Sequence, residues 1–343
     1  MFGLAAPFQG SAGMRLSNWE KANMIRIGTF LAAALAFATP AAYAETYPSR
    51  QITLIIPFAA GGSNDIVARA IAKGLADVWG QPVIAENRPG AGGVIGAAAV
   101  AHAPPDGYTL LLVSSTFTIN AAIKKNMPFD AVKDFTPVAS IARSPLLVTA
   151  SNNLPVKSAK ELLALARSKP NQITFASAGV GSINQISAEL IALSAGVKLM
   201  HIPYKGGAPA LNDLLGGHID IYVSSLPQVQ QLAQSGQVNA LAVTSVKRVQ
   251  LLPNIPTLDE AGIPGFDLFS WWGVVGPAGM PADIVNVLNI EIGKLLSSPE
   301  LSKFLASEGA EARPMTPPEF EDLIRTEIER WVKVAHEANI SID

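Results

Sequence analysis

Two short segments of the chain set glycines and small polar residues directly before a helical pattern. They are Ala60-Gly61-Gly62-Ser63-Asn64-Asp65 and Ala178-Gly179-Val180-Gly181-Ser182. Such a turn suits an anion. The first N–H groups of a helix lack intrahelical partners, glycine lets a ligand approach the backbone, and the helix dipole favours negative charge. Each contact of this kind contributes about 0.3–1 kcal/mol when exposed and up to about 2 when partly buried. The competing explanation is plain capping, with Ser63 or Asn64 and Ser182 closing their own helices and Asp65 complementing the dipole. Duplication of the turn in opposite halves of the chain favours a pair that grips one ligand.

Other chemistries find little support. Pro89-Gly90-Ala91-Gly92-Gly93-Val94-Ile95-Gly96 looks like a dinucleotide loop, but Ile95 stands where the third glycine belongs. No acidic residue ends the strand that follows to hold a ribose. Gly179-Val180-Gly181 fails the same test at Asn184. This third stretch is better explained as a turn that lets a helix pack closely on its sheet. The four histidines, His102, His201, His218 and His336, show no metal-ligand spacing, and no nucleophile elbow is present. His218 reads as a turn residue and His336 as solvated. Asp65 and Asp220 have no spacing that would make them an acid–base pair. Trp271-Trp272, after Phe269, is either buried between domains or a cleft wall. No catalytic residue, metal or cofactor is expected.

The 343 residues are enough for two domains, and 49% hydrophobic against 15% charged residues describes a well-packed globular chain. The net charge of −2 and the absence of a basic run exclude nucleic acid and anionic membrane surfaces as partners. There is no cysteine, hence no thiolate site, disulfide or lipid-anchoring cysteine. Met24-Ile25-Arg26, the apolar run Ile27 to Ala38, and Ala42-Tyr43-Ala44 form the layout of a secretory signal cut after Ala44. The run is shorter than the roughly 20 residues of a membrane span. Either Met1 or Met24 can be the start.

After residue 45 strand-like runs alternate with helical stripes, the pattern of an α/β protein. Expected strands are Gln51–Phe58, Pro82–Glu86, Tyr108–Ser114, Ser144–Ala150, Ile173–Ser177, Asp220–Val223 and Ala240–Ser245. Expected helices are Ser63–Trp79, Gly93–His102, Ser158–Ser168, Ile183–Ala195, Ile284–Leu296, Ser302–Glu308 and Pro317–Ala338. The unit strand, Gly-rich turn, helix occurs twice, about 120 residues apart. That repeat fits two similar domains facing each other.

In order along the chain, Pro57-Phe58-Ala59-Ala60-Gly61-Gly62-Ser63-Asn64-Asp65, Glu86-Asn87-Arg88-Pro89-Gly90-Ala91-Gly92-Gly93, Pro105-Asp106-Gly107-Tyr108 and Tyr204-Lys205-Gly206-Gly207-Ala208-Pro209 resemble the Bug-type extracytoplasmic solute receptors of tripartite tricarboxylate transporters. The resemblance implies a periplasmic-binding-protein-like α/β fold. Its two domains are joined by two crossing strands, Pro145–Thr149 and Leu241–Thr244. The expected division is 1–44 for the extension and signal, 45–146 plus 250–343 for domain 1, and 147–249 for domain 2. It further implies a small di-, tri- or aromatic carboxylate bound in the interdomain cleft, and membrane permease subunits as partners of a monomeric receptor. A sensor domain as partner, or an enzyme acting on a carboxylate, are the alternatives. Carried over position by position, the ligand contacts are Phe58, Gly61, Gly62, Ser63, Asn64, Asp65, Ser114, Ser115 and Thr116 from the first domain. From the second come Ala178, Gly179, Gly181, Ser182, Tyr204 and Ser224. Two positions depart from the family pattern. Gln185 replaces a frequent His, and Ser224-Ser225 replace a frequent Asp-Asn, which disfavours an amino-acid ligand.

Overall fold

The computed structural model describes Trp19 and residues 46–337. The expected signal and its cleavage after Ala44 lie outside the described residues. Two sheets share one strand. In the first, β1 (Ile52–Ile56) lies between β2 (Val83–Asn87) and β3 (Thr109–Ser114), all parallel. The second repeats this arrangement, with β5 (Thr174–Ser177) between β6 (Met200–Pro203) and β7 (Ile221–Ser225). The repeated strand–turn–helix unit therefore heads two topologically matching sheets. β4 (Phe135–Ala150) runs through both. Its first half pairs antiparallel with β9 (Phe269–Pro277) and with β10 (Glu311–Ala312), its second half with β7 and β8 (Asn239–Val243). β9 is threaded between β3 and β4, so strand order in the first sheet is β2-β1-β3-β9-β4.

Near-continuous apolar runs form these strands because both sheet faces are covered. Leu54, Ile56, Leu110 and Leu112 point into one core, formed with α1 (Ser63–Trp79) and α8 (Ala282–Ser297). Ile55, Leu111 and Val113 point into the opposite core with α2 (Val94–Ala101), α3 (Ser115–Ile123) and Phe320 of α10 (Pro317–Glu337). The second sheet is covered likewise. α4 (Ala159–Ser168) and α5 (Ile183–Ser194) lie on one face, α6 (Gly207–Leu215) and α7 (Leu226–Gln234) on the other. α9 (Pro299–Ser307) sits beside α8.

Three expectations change. A helix that the sequence did not predict starts at Ser115: β3 runs straight into α3, whose buried Ser115, Thr118 and Asn120 break the apolar stripe that would betray a helix. The strand at Ser144–Ala150 is the last part of a 16-residue strand. Residues 250–268, expected with domain 1, pack with the second sheet. Leu252 joins the α6–α7 core, and Leu258, Ala261, Ile263 and Leu268 the α4–α5 core. The chain returns to the first sheet only at Phe269. Trp271 and Trp272 are buried on opposite faces of β9 within the first sheet's cores, so neither is a cleft wall.

Candidate functional site

Four helices start where parallel strands end: α1 after β1, α3 after β3, α5 after β5 and α7 after β7. The carboxyl ends of such strands are where open α/β sheets bind ligands. These helix tips, with those of α2 and α6, meet between the two sheets.

The tips meet in an offset pairing. The turn before α1 faces α6: a Cβ built on Gly61 would stand 3.4 Å from the Ala208 Cβ, and one on Gly62 would stand 3.6 Å from the Gly207 nitrogen. The turn before α5 faces instead the turn before α2 and the side of α3. A Cβ on Gly92 would overlap the Val180 carbonyl oxygen, and one on Gly181 would overlap Asn120 Oδ1. Thr116 Oγ1 accepts the Ile183 N–H at 3.1 Å, joining the tips of α3 and α5. The two Gly turns do not touch one another; each meets a different partner. The partner of Gly61-Gly62 is Gly206-Gly207, which the sequence showed as part of the Tyr204–Pro209 motif but did not mark as a contact.

The two turns also differ in how their amides are used. At α5 the protein's own groups take most of them. Ser182 Oγ accepts from Gln185 N, Gln185 Oε1 accepts the Gly181 N–H at 2.8 Å, and Ser177 Oγ accepts the Gly179 N–H at 3.2 Å. Ser182 is therefore a cap. At α1 no side chain caps the helix, and the Ser63, Asn64 and Asp65 amides have no acceptor among the described residues. Asn64 Oδ1 is buried without a partner.

Asp65 was expected to touch a ligand, but its carboxylate is turned to its own domain. It accepts from the Gly61 N–H (3.0 Å), Arg69 Nε (2.9 Å) and Asn87 Nδ2 (2.8 Å). Burial alone would raise its pKa; the hydrogen bonds from Arg69, Gly61 and Asn87 and the Arg69 charge outweigh it and hold the carboxyl below its ordinary value. Ser224 is fully buried and donates to Gln228 Oε1 at 2.7 Å.

A cavity of about 850 Å³ opens beside these tips. Phe58, the Gly90–Val94 turn and Lys124 wall it from one sheet; Ala178, Gly179, Val180, Tyr204 and Lys205 wall it from the other. Of the expected contacts, Phe58, Ala178, Gly179 and Tyr204 reach it. Phe58, Ser114 and Thr116 line a smaller space of about 20 Å³ alongside. Gly61, Gly62, Ser63, Asn64, Asp65, Ser115, Gly181, Ser182 and Ser224 line neither. The charged residues in the larger cavity are Lys124, Lys125 and Lys205, with no carboxylate. Burial lowers the Lys124 pKa, and its ammonium donates to the Ala91 carbonyl at 2.7 Å. Sequence reading missed Lys124 because nothing in a helix-ending Lys-Lys pair marks which side chain turns inward. The Gly-rich turn before α2 serves both purposes: Gly96 lets α2 pack on Pro57, while Gly90–Gly93 form the cavity wall.

The second Gly turn rests on a half-buried histidine. His201 stacks on Phe175 with ring centroids 4.8 Å apart, and its Nε2 lies 2.6 Å from Ser177 Oγ, which accepts the Gly179 N–H. Burial pushes the His201 pKa down to about 4. The fold holds the ring neutral while an unfolded chain protonates it near its ordinary 6.5, so this stability is complete above pH 6.5 and is lost as pH falls towards 4. Thermal melts are expected to show a falling Tm across that window, and His201→Gln to flatten its slope.

The sequence pattern of the family described as "Tripartite tricarboxylate transporter family receptor" matches residues 67–340. Protein BugT of Bordetella pertussis is 37% identical over 318 residues, 92% of this chain and 97% of its own length. Among solved structures, R. palustris Rpa4515 with adipate superposes with a TM-score of 0.84 at 38% identity, covering 86% of this chain and 99% of that one. MatC from Rhodopseudomonas palustris with bound malate gives 0.81 at 34% identity, covering 84% and 99%.

Proposed function

The chain belongs to the tripartite tricarboxylate transporter receptor family, and from that premise we propose that it captures a small carboxylate between its two domains and hands it to permease subunits in the membrane. The observation that carries this reading is the cavity between the sheets, where every charged wall residue is a lysine, together with a helix tip whose Ser63, Asn64 and Asp65 amides have no acceptor among the described residues. Adipate and malate, bound by two similar proteins, are the first acids to try. We take domain 1 as residues 47–145 with the segment from 269 onward, and domain 2 as 146–268, because the strands change sheet at 145–146 and the core changes at Phe269. The solved relatives include a periplasmic binding protein, BugD, which fits the secretory layout before Glu45. The receptor works as a monomer without turnover of its ligand.

Micromolar affinity corresponds to about −8 kcal/mol, within reach of several charge-assisted hydrogen bonds and an enclosed apolar body. Titration calorimetry with adipate, malate, citrate and benzoate is expected to give a micromolar or tighter Kd for at least one acid. That affinity should weaken as salt is raised, because the cavity lysines are partly exposed. Silence from every acid would remove the proposal.

A further inference from the structure

Gln228, in the first turn of α7, is 9% exposed, and its Nε2 is buried without a hydrogen-bond partner. Its carboxamide is nonetheless held firmly. Oε1 accepts from Ser224 Oγ at 2.7 Å and from Tyr222 OH at 3.1 Å. Tyr222 is fully buried, and burial raises its pKa, so it remains a donor. In this orientation Oε1 takes both hydroxyl hydrogens, which leaves Nε2 as the group without a partner. Nε2 is thus aimed by two hydroxyls at a place where nothing accepts it. Leaving a buried donor so is costly, and native proteins rarely do it without a use.

The surroundings say what belongs there. The Gln228 carboxamide faces Gly207, whose added Cβ would stand 2.5 Å from Oε1 and 2.7 Å from Nε2. Gly207 opens α6, which no side chain caps, and it approaches Gly62 at the equally uncapped start of α1. Donors from three directions converge: the first-turn amides of α1, those of α6, and Nε2. Among the described residues the unpaired buried side-chain acceptor at the start of α1 is Asn64 Oδ1, and that carboxamide presents a donor when turned over. Such a surplus of donors is matched by an oxyanion.

Building on the receptor reading, we propose that Gln228 is a carboxylate-binding residue of the second domain: Nε2 donates to an oxygen of the ligand's acid group, which the start of α1 holds from the first domain. Ser224 and Tyr222 are positioning residues for it. Ser224, expected as a direct contact, acts through Gln228 instead. The acid sits between Gly62 and Gly207 and holds the two tips slightly further apart than their direct contact.

The test uses the purified receptor and whichever of adipate, malate, citrate and benzoate binds it best. A hydrogen bond to a charged group carries roughly a 10- to 100-fold effect on affinity, so Gln228→Leu is expected to weaken binding by that factor with its Tm within a few degrees of wild type. Gln228→Glu replaces the donor by a like charge at neutral pH. Its affinity is expected to recover at least tenfold between pH 8 and pH 5.5 as the new carboxyl takes up a proton and becomes a donor, while wild type stays flat. A structural role would not produce that recovery. Ser224→Ala is expected to cost a few-fold on its own and nothing further when combined with Gln228→Leu. Wild-type affinity in Gln228→Leu, or a pH-independent Gln228→Glu, overturns the assignment and leaves the receptor reading standing. If the wild-type protein binds none of the acids, the receptor reading fails and this assignment falls with it.

Discussion

Gly92→Ala is expected to weaken ligand binding by on the order of 100-fold while leaving each domain folded. Gly92 sits at φ +66 in the turn before α2, and an added Cβ overlaps the Val180 carbonyl oxygen across the cleft. Backbone cannot swing aside as a flexible side chain can, so the overlap is relieved by parting the domains. Taking the arrangement in which Gly92 meets Val180 as the closed, binding-competent one, a bias of about 3 kcal/mol against it lowers apparent affinity roughly 150-fold, because only the competent fraction binds. Calorimetry gives the affinity, and small-angle scattering at a ligand concentration that saturates wild type but not the variant is expected to show a larger radius of gyration for the variant. Gly80→Ala separates the two costs. Gly80 has φ +64 but nothing within 4 Å of its Cβ position, so it carries the same left-handed strain of about 1–2 kcal/mol without the wedge. It should lower Tm and leave affinity unchanged. Equal affinity loss in both variants would mean that closure does not depend on the Gly92 contact.

Asp65→Asn is the second large effect, felt first in stability. One buried carboxylate ties together the Gly61 amide, Arg69 and Asn87, and the amide variant sets a donor against donors. Breaking a buried, hydrogen-bonded charge pair costs about 3–5 kcal/mol. Arg69 is half exposed, so the lower figure applies. Tm is then expected to fall roughly 6–10 °C at pH 7. The depressed pKa gives the sign with pH. Asp65's contribution is complete above its unfolded value near 3.9 and is lost as pH falls through the lower folded value. Melts of wild type and variant should therefore converge in strong acid. A constant gap down to pH 2 would show that the Asp65 charge is not what matters.

Much of the frame was legible because its determinants are local. Ser63–Trp79 reads as a helix from its apolar stripe, and the structure places it at those residues. Gln51–Phe58 reads as a strand because an apolar run closed by a Gly-rich turn has few other uses, and β1 occupies Ile52–Ile56 of it. The repeat was legible too, since Gly-rich turns at corresponding places head both sheets. What stayed hidden depends on partners distant in sequence. α3 was lost because its buried Ser115, Thr118 and Asn120 find their packing or hydrogen bonds in the fold: Ser115 Oγ, for instance, accepts the Trp271 N–H, 156 positions away. The offset meeting of helix tips follows from how two similar sheets are set on a shared strand, which no periodicity records. Gln228 was invisible for the same reason. An Asp-Asn to Ser-Ser change drew attention to Ser224, while the group that Ser224 aims lies one helical turn further on.

The insertion of β9 between β3 and β4 has a consequence for biogenesis. A chain emerging N-terminus first has made β3 and β4 long before residue 269, yet neither can complete its ladder until β9 arrives. Across the synthesis of more than a hundred intervening residues, two apolar strands keep bare edges, the kind of edge that recruits another chain. Nascent fragments ending before Pro277 are therefore the forms of this receptor most in need of a chaperone during export, and the last-made part of the first sheet acts as its keystone.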